Sequence, residues 1–201
     1  MENKKLSPHF KLFEFCVTSS GANAVQANRE TASKPENLKK LTLIAEKILE
    51  PIRAVLIDPK NKFNCKFLTI TSGVRTNSTK ISNASVSSQH NWSEALDFVV
   101  DGTLENTYRL YNMIKDKLIP NLDHKYISQC ILERKQRRDG SWSCWIHIGL
   151  LTERFKEQRK NAKRNYTNFP EFFISLDGYK YVIANPVNFK KYLNPIVDNE
   201  K

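Results

Sequence analysis

The chain has 201 residues, 40% hydrophobic and 26% charged. These are ordinary proportions for a folded protein, with enough apolar material for a core that needs no disulfide or metal staple. Its length suits one domain, or one domain with an extension. The net charge of +11 favours a polyanionic partner (nucleic acid, an acidic wall polymer or anionic lipid) without choosing among them.

Residues Met1 to Cys16 contain no apolar run of signal-peptide or membrane-span length. Synthesis and retention in a cytoplasm are therefore expected, with action outside it only after release. The four cysteines, Cys16, Cys65, Cys130 and Cys144, form no CxxC pair, and free buried thiols are expected. Residues 1–32 are expected to be mostly loop around an aromatic cluster of Phe10, Phe13 and Phe15.

A strong helix follows. Ser33 and Glu36 have the spacing of a capping box, with Pro35 in the first turn. Leu38, Leu41, Ile44, Ala45, Ile48, Leu49, Ile52 and Val55 recur with a helical period, and Pro51 is expected to kink the helix. Lys66 to Thr71 predicts a strand ended by Ser72-Gly73, followed by a polar stretch reaching Ser88. A long ordered loop of that kind is often functional. Ala95 to Val99 predicts a second strand and Asp101-Gly102 a turn. Thr103 caps a helix to about Leu118 with the stripe Leu104, Tyr108, Tyr111, Ile114 and Leu118, stopped by Pro120.

Tyr126 to Glu133 and Trp142 to Gly149 form the arms of a hairpin whose turn carries Asp139-Gly140. Alternation puts Trp145 and His147 on one face of the second arm, and Cys144, Ile146 and Ile148 on the other. Beyond Leu150 the basic residues Arg154, Lys156, Arg159, Lys160, Lys163 and Arg164 suggest an exposed helix. Phe172 to Leu176 and Tyr179 to Ala184 suggest another hairpin, and Asn188 to Leu193 a short last helix.

Two of the four histidines stand out. His90 precedes Asp97 across a short polar turn, and His147 lies within a predicted strand. A catalytic zinc site takes three imidazole or carboxylate ligands and leaves a fourth position open. His90, Asp97 and His147 would supply such a set, although a histidine and an aspartate at this interval are too common to establish a metal site alone. His9 and His124 lie outside the pattern and are expected to be surface or structural, while Trp92 and Trp145 are expected to pack its walls.

Ser88-x-His90-x6-Asp97 followed by Trp145-x-His147 resembles the signature of the M15 peptidases. These are zinc D-Ala-D-Ala carboxypeptidases and phage L-Ala-D-Glu endopeptidases, with hedgehog signalling domains as structural relatives. Further segments are similar in the same order: LSPHFKLFEF, Thr71-Ser72-Gly73-Val74-Arg75, and Gln129 to Glu133. The likeness runs from about residue 5 to 150, so 1–150 is expected to be the peptidase-like domain and 151–201 a basic extension packed on it.

The resemblance implies Zn2+ on His90, Asp97 and His147, with Arg75 clamping a substrate carboxylate. Ser88 and Gln89 would shape the ligand loop or contact peptide, and Gln129 would line the substrate site. Some relatives place the general base three residues before the last histidine, where this chain has Cys144. Others use the glutamate ending the preceding strand, here Glu133. If the turn centres near Gly140, Glu133 lies roughly opposite His147 on the same sheet face. Glu94 is expected to be an exposed loop carboxylate.

Two more departures are Ser93, where the family usually has glycine, and Ser128, where it often has an acid. They leave room for altered substrate choice or reduced activity. The implied fold is α+β: a small antiparallel sheet with helices on one side and a zinc site in a groove, as in hedgehog and the DD-peptidases. The implied activity is hydrolysis of peptidoglycan stem peptides, acting on the cell wall after release or within a phage particle. Basic stretches at Arg134 to Arg138 and 154–164 would either hold anionic wall polymer or form a solvated face. A non-catalytic M15-like module is the alternative. Nucleic-acid binding rests on charge alone, without a reader motif.

Overall fold

The computed structural model describes residues 1–63, 65, 67–76, 88–101, 103–162, 169–178 and 180–194. The predicted polar loop at 77–87, and Lys66, Gly102, Lys163, Arg164 and Tyr179 of the predicted elements, lie outside the described residues.

Among the described residues six strands form one sheet: β1 (Thr69–Ser72), β2 (Ala95–Val99), β3 (Ile127–Gln136), β4 (Trp142–Leu150), β5 (Glu171–Ser175) and β6 (Tyr181–Ile183), in the order β1-β2-β4-β3-β5-β6. The sheet is mixed, which corrects the expected antiparallel one. β5 runs parallel to β3, while every other pairing is antiparallel. Residues beyond Leu150 thus continue the same sheet, carrying two of its strands.

The helices are α1 (Ala22–Ala32), α2 (Pro35–Ile44), α3 (Glu50–Ile57), α4 (Leu104–Lys115), α5 (Glu153–Asn161) and α6 (Pro186–Leu193). α1 and a 3-10 turn at Leu12–Cys16 replace the expected N-terminal loop. The buried stripe of α1 is Ala24, Asn28 and Ala32. It has helical spacing but no large apolar side chain, so hydrophobic periodicity could not reveal it.

Ser33 belongs to the end of α1, not the start of α2. Its hydroxyl donates to the Arg29 carbonyl at 2.8 Å, and the N-cap of α2 is Lys34, without a side-chain cap. The expected capping box is therefore absent, and Pro35 alone marks the helix start. Between α2 and α3 the chain makes a π-helical turn, Ala45–Leu49, with the Glu50 N–H donating to Ala45. This wider turn accommodates the missing N–H and ring of Pro51, so the helix continues through it. Leu41, Ile44, Ile48, Leu49, Ile52 and Leu56 remain fully buried along it.

Thr103 caps α4 by accepting from the Asn106 N–H at 3.2 Å. The helix ends at Lys115, and Leu118 is exposed rather than part of its stripe. In α6, Asn185 caps by accepting from Asn188.

Alternation along β3 and β4 separates two faces. Cys130, Leu132, Cys144, Ile146 and Ile148 enter the single hydrophobic core with Ile70, Leu96, Phe98 and Ile174. Tyr111 of α4 packs edge-on against Phe172 and against Phe189 of α6. Asp97, Trp145, His147, Gln129, Ile131 and Glu133 project from the other face, by the registers Asp97↔His147, Ile131↔His147 and Glu133↔Trp145. Glu133 therefore shares the face of His147 but is not opposite it. Ile131 is opposite His147, and Glu133 lies two residues further along, opposite Trp145.

All four cysteines are free, and Cys16, Cys130 and Cys144 are buried. Among the described residues no helix is long and apolar enough to cross a membrane.

Candidate metal centre

The centre is built where the 3-10 turn Gln89–Trp92 leads into β2 beside β4. Ser93 ends that turn in the left-handed region, at φ 55° and ψ 37°, fully buried. Glycine adopts this conformation without strain, and a serine bears some cost there. The chain then reverses so that His90, on the turn, and Asp97, on the strand, face the same point. His147 reaches it from β4, directly across from Asp97.

His90 Nε2, Asp97 Oδ1 and His147 Nδ1 converge. The separations are 3.2 Å between the imidazoles, 2.9 Å from His147 to Asp97 and 3.3 Å from His90 to Asp97. A tetrahedral ion with bonds of about 2.0–2.2 Å needs ligand atoms roughly 3.3–3.6 Å apart. The triangle fits such an ion after outward shifts of a few tenths of an ångström. This buried group can hold a metal ion, and three protein ligands leave a fourth position for water or substrate.

The outward atom of each ligand is also held. His90 Nδ1 lies 2.7 Å from the Gly73 carbonyl, so it donates there and directs the Nε2 lone pair inward. Gly73 is required for this contact, because a Cβ there would sit 2.2 Å from the Phe15 carbonyl oxygen. The Phe15 carbonyl accepts from the Val74 N–H at 2.8 Å. The aromatic N-terminal segment thus supports the ligand shell from behind. Asp97 Oδ2 accepts from Arg75 at 3.3 Å. Gln129 Oε1 accepts from Arg159 at 3.0 Å, so its amide nitrogen is the atom 3.0 Å from His147 Nε2 and donates to it, which leaves the His147 proton on Nδ1, directed at Asp97.

Electrostatics divide the site. Burial would raise the Asp97 carboxyl, but the charge of His90 and hydrogen bonds from both imidazoles hold it well below the ordinary carboxylate range. Burial lowers His147, with Asp97 opposing. Glu133 is shifted the other way: burial, then the Asp97 charge, raise it well above its ordinary value against the pull of Arg75 and a hydrogen bond from Trp145. The two carboxyls on this sheet face are thus shifted oppositely, Asp97 toward its ionised form and Glu133 toward its neutral form.

No protein-family model, curated protein or solved structure matches the chain.

The other expected site residues have distinct places. Gln89 is buried, donating to the Leu150 carbonyl and accepting from Ser128, both at 3.0 Å. Both ends of its amide brace the ligand turn, and Ser128 is the partner it needs. Ser88 stands at the N-cap of that turn, and its side chain makes no capping hydrogen bond. Arg75 donates to Ser72 and Asp97, while its Nε is buried with no hydrogen-bond partner among the described residues. Cys144 faces the core and contacts Thr107 at 3.3 Å, so its position in the strand offers nothing to the groove.

Glu94 corrects the expectation of an exposed carboxylate. It is buried, accepts from Arg154 at 2.8 Å and pairs with Lys40. Two expected surface cations are also internal. Arg134 donates to the carbonyls of Leu176 and Tyr192, and Arg159 pairs with buried Glu171 at 2.7 Å. Within a run of basic residues, sequence carries no signal separating these arginines from solvated ones. His9 and His124 are structural, bonded to Glu50 and the Ile114 carbonyl. Trp92 is exposed beneath Arg154, while Trp145 supports Glu133.

Proposed function

We propose that the chain is a zinc-dependent peptidase of the M15 type, with the hedgehog/DD-peptidase arrangement, acting on peptidoglycan stem peptides. The observation that carries this reading is the buried triangle of His90, Asp97 and His147 with Glu133 on the same sheet face. Ser93 adds support, because the position where that family usually has glycine is left-handed here.

When bound, zinc would act as a Lewis acid and bring the acidity of water toward pH ~7. His90, Asp97 and His147 would hold the ion. Glu133 takes the proton of the attacking water and passes it to the leaving amine, a role suited to a carboxyl raised by burial and Asp97. Arg75, which donates to Asp97 beside the triangle, would bind a substrate carboxylate. The net charge of +11 suits attachment to anionic wall polymer, reached after release or as part of a phage particle.

The test is metal content together with digestion of purified peptidoglycan by wild type and Glu133→Gln. The expected result is about one zinc per chain in both proteins and stem-peptide cleavage by wild type alone. Zinc without cleavage in wild type would favour the non-catalytic module. Absence of zinc would remove the proposal altogether.

A further inference from the structure

The two ring nitrogens of His147 have opposite duties. Nδ1 points into the triangle, 2.9 Å from Asp97 and 3.2 Å from His90. Nε2 points away from it, 3.0 Å from the Gln129 amide nitrogen. A neutral imidazole carries one proton, so one nitrogen donates and the other offers a lone pair. An ion on Nδ1 takes the lone pair there and requires the proton on Nε2, donated to an acceptor.

Gln129 presents the wrong end of its amide for that. Its Oε1 accepts from Arg159 Nη2 at 3.0 Å, and a guanidinium can only donate. The amide nitrogen is the atom left for His147, and it donates to a lone pair on Nε2. His90 is held the other way: its outward Nδ1 donates to the Gly73 carbonyl, which is the polarity a ligand needs. Of the two imidazoles, His147 alone is held against it.

Arg159 is itself anchored. The same Nη2 donates to Glu171 at 2.7 Å, and its guanidinium lies over the Phe155 ring one turn earlier in α5. Glu171 is buried and is the direct partner of Gln129 in the parallel β3–β5 pairing. Arg159 therefore spans two neighbouring side chains, and reorienting Gln129 breaks one charged hydrogen bond while the other keeps the guanidinium in place.

We propose that Gln129 is a positioning residue with two orientations, and that metal binding at His147 Nδ1 turns its amide over against the hold of Arg159. The proposal rests on the metal centre of the reading above and is independent of the reaction catalysed there. His147 stays neutral throughout. Its proton leaves Nδ1, whose lone pair goes to the ion, and is replaced through water by one on Nε2. Gln129 Oε1 then accepts from Nε2–H, its amide nitrogen turns toward Arg159, and Arg159 keeps Glu171 alone. The segment beyond Leu150 thus lowers the metal affinity of a centre built from residues before it.

Zinc affinity is measured by chelator competition for wild type, Arg159→Met, Gln129→Glu and the double variant. A glutamate at 129 has an acceptor for Arg159 and another for Nε2–H, so it serves both without turning. Arg159→Met is expected to tighten zinc about tenfold, and Gln129→Glu about 10- to 100-fold. With Gln129→Glu present, removing Arg159 should add no more than about twofold. Equal gains in both backgrounds would mean a plain charge effect and overturn the proposal, as would unchanged or weaker zinc binding in Arg159→Met. Because that variant strips buried Glu171 of its cation, a second measurement uses wild type alone: imidazole nitrogen NMR after removal of metal by chelator. A lone pair on His147 Nε2, exchanged for a proton on zinc loading, is expected. A proton already on Nε2 before loading would overturn the role of Gln129 and leave the metal centre standing. A wild type that binds no zinc would overturn both.

Discussion

At the neighbours Ile146 and His147 of β4 the two faces of the sheet are both shielded and chemically opposite. Ile146 is 0% exposed and His147 6%, yet these neighbours answer to different rules. On the core face Cys144, Ile146 and Ile148 need only close packing, and burial itself stabilises them. On the groove face burial is a cost that Asp97, His90 and His147 offset by bonding to one another, and that Glu133 meets by a raised pKa. One face therefore supplies stability, and the other converts part of it into poised chemistry. The comparison is tested by altering each face and asking whether the other responds.

The largest expected effect comes from removing a ligand. His147→Ala or Asp97→Ala should lose metal affinity by roughly 10²- to 10³-fold or more, measured by metal titration with a competing chelator. Both variants should still unfold cooperatively, because the opposite face is untouched. In wild type, metal at a hundredfold excess over Kd should add about 2.7 kcal/mol to stability, and neither variant should show that gain. A variant that still bound tightly would mean that the triangle is a hydrogen-bonded cluster rather than a ligand set.

On the core face, Ile146→Ala should cost about 2–4 kcal/mol in denaturant unfolding. Metal affinity of the folded variant should stay within about twofold of wild type. If affinity collapsed while the protein remained folded, the two faces would not be separable, and β4 would act as one unit.

Much of this division was legible before the structure. Alternation placed Trp145 and His147 apart from Ile146 and Ile148, and the hairpin, β2 and the Thr103 cap follow from short-range pattern and turn chemistry. The candidate set of His90, Asp97 and His147 is legible only through the resemblance to the M15 signature, since a histidine and an aspartate at that interval are common. What escaped was set by tertiary pairing. The exact partner of Glu133 depends on the hairpin register, and it is Trp145 rather than His147. The parallel β3–β5 pairing joins segments far apart in the chain and leaves no local trace. For the same reason Glu94, Arg134 and Arg159 looked like surface charges: Glu94 and Arg134 are buried, and Arg159 half-buried, by partners distant in sequence. α1 escaped because its buried stripe is made of small and polar residues.

The smallest expected effect is the most discriminating. Glu133 is raised in the folded protein by burial and then by Asp97, so the folded state binds its proton more tightly than the unfolded chain, where a glutamate titrates near ~4.3. Its contribution to stability is fully present below that unfolded value and is lost as pH rises through the raised folded value. Asp97 works oppositely. Its lowered carboxyl contributes above its ordinary value of ~3.9 and loses that contribution only in stronger acid. The two windows therefore do not overlap. Glu133→Gln removes the cost of an ionised buried carboxylate, so the metal-free variant should melt above wild type at pH 7–8, each kcal/mol appearing as roughly 2–4 °C. The advantage should shrink as pH falls and vanish well below ~4.3, where Glu133 is neutral in both states. Added divalent metal should also shrink it at neutral pH, because a cation beside the groove favours the ionised glutamate. A difference in Tm that ignored both pH and metal would mean that Glu133 carries no charge-dependent cost, and the groove face would then be as inert as the core behind it.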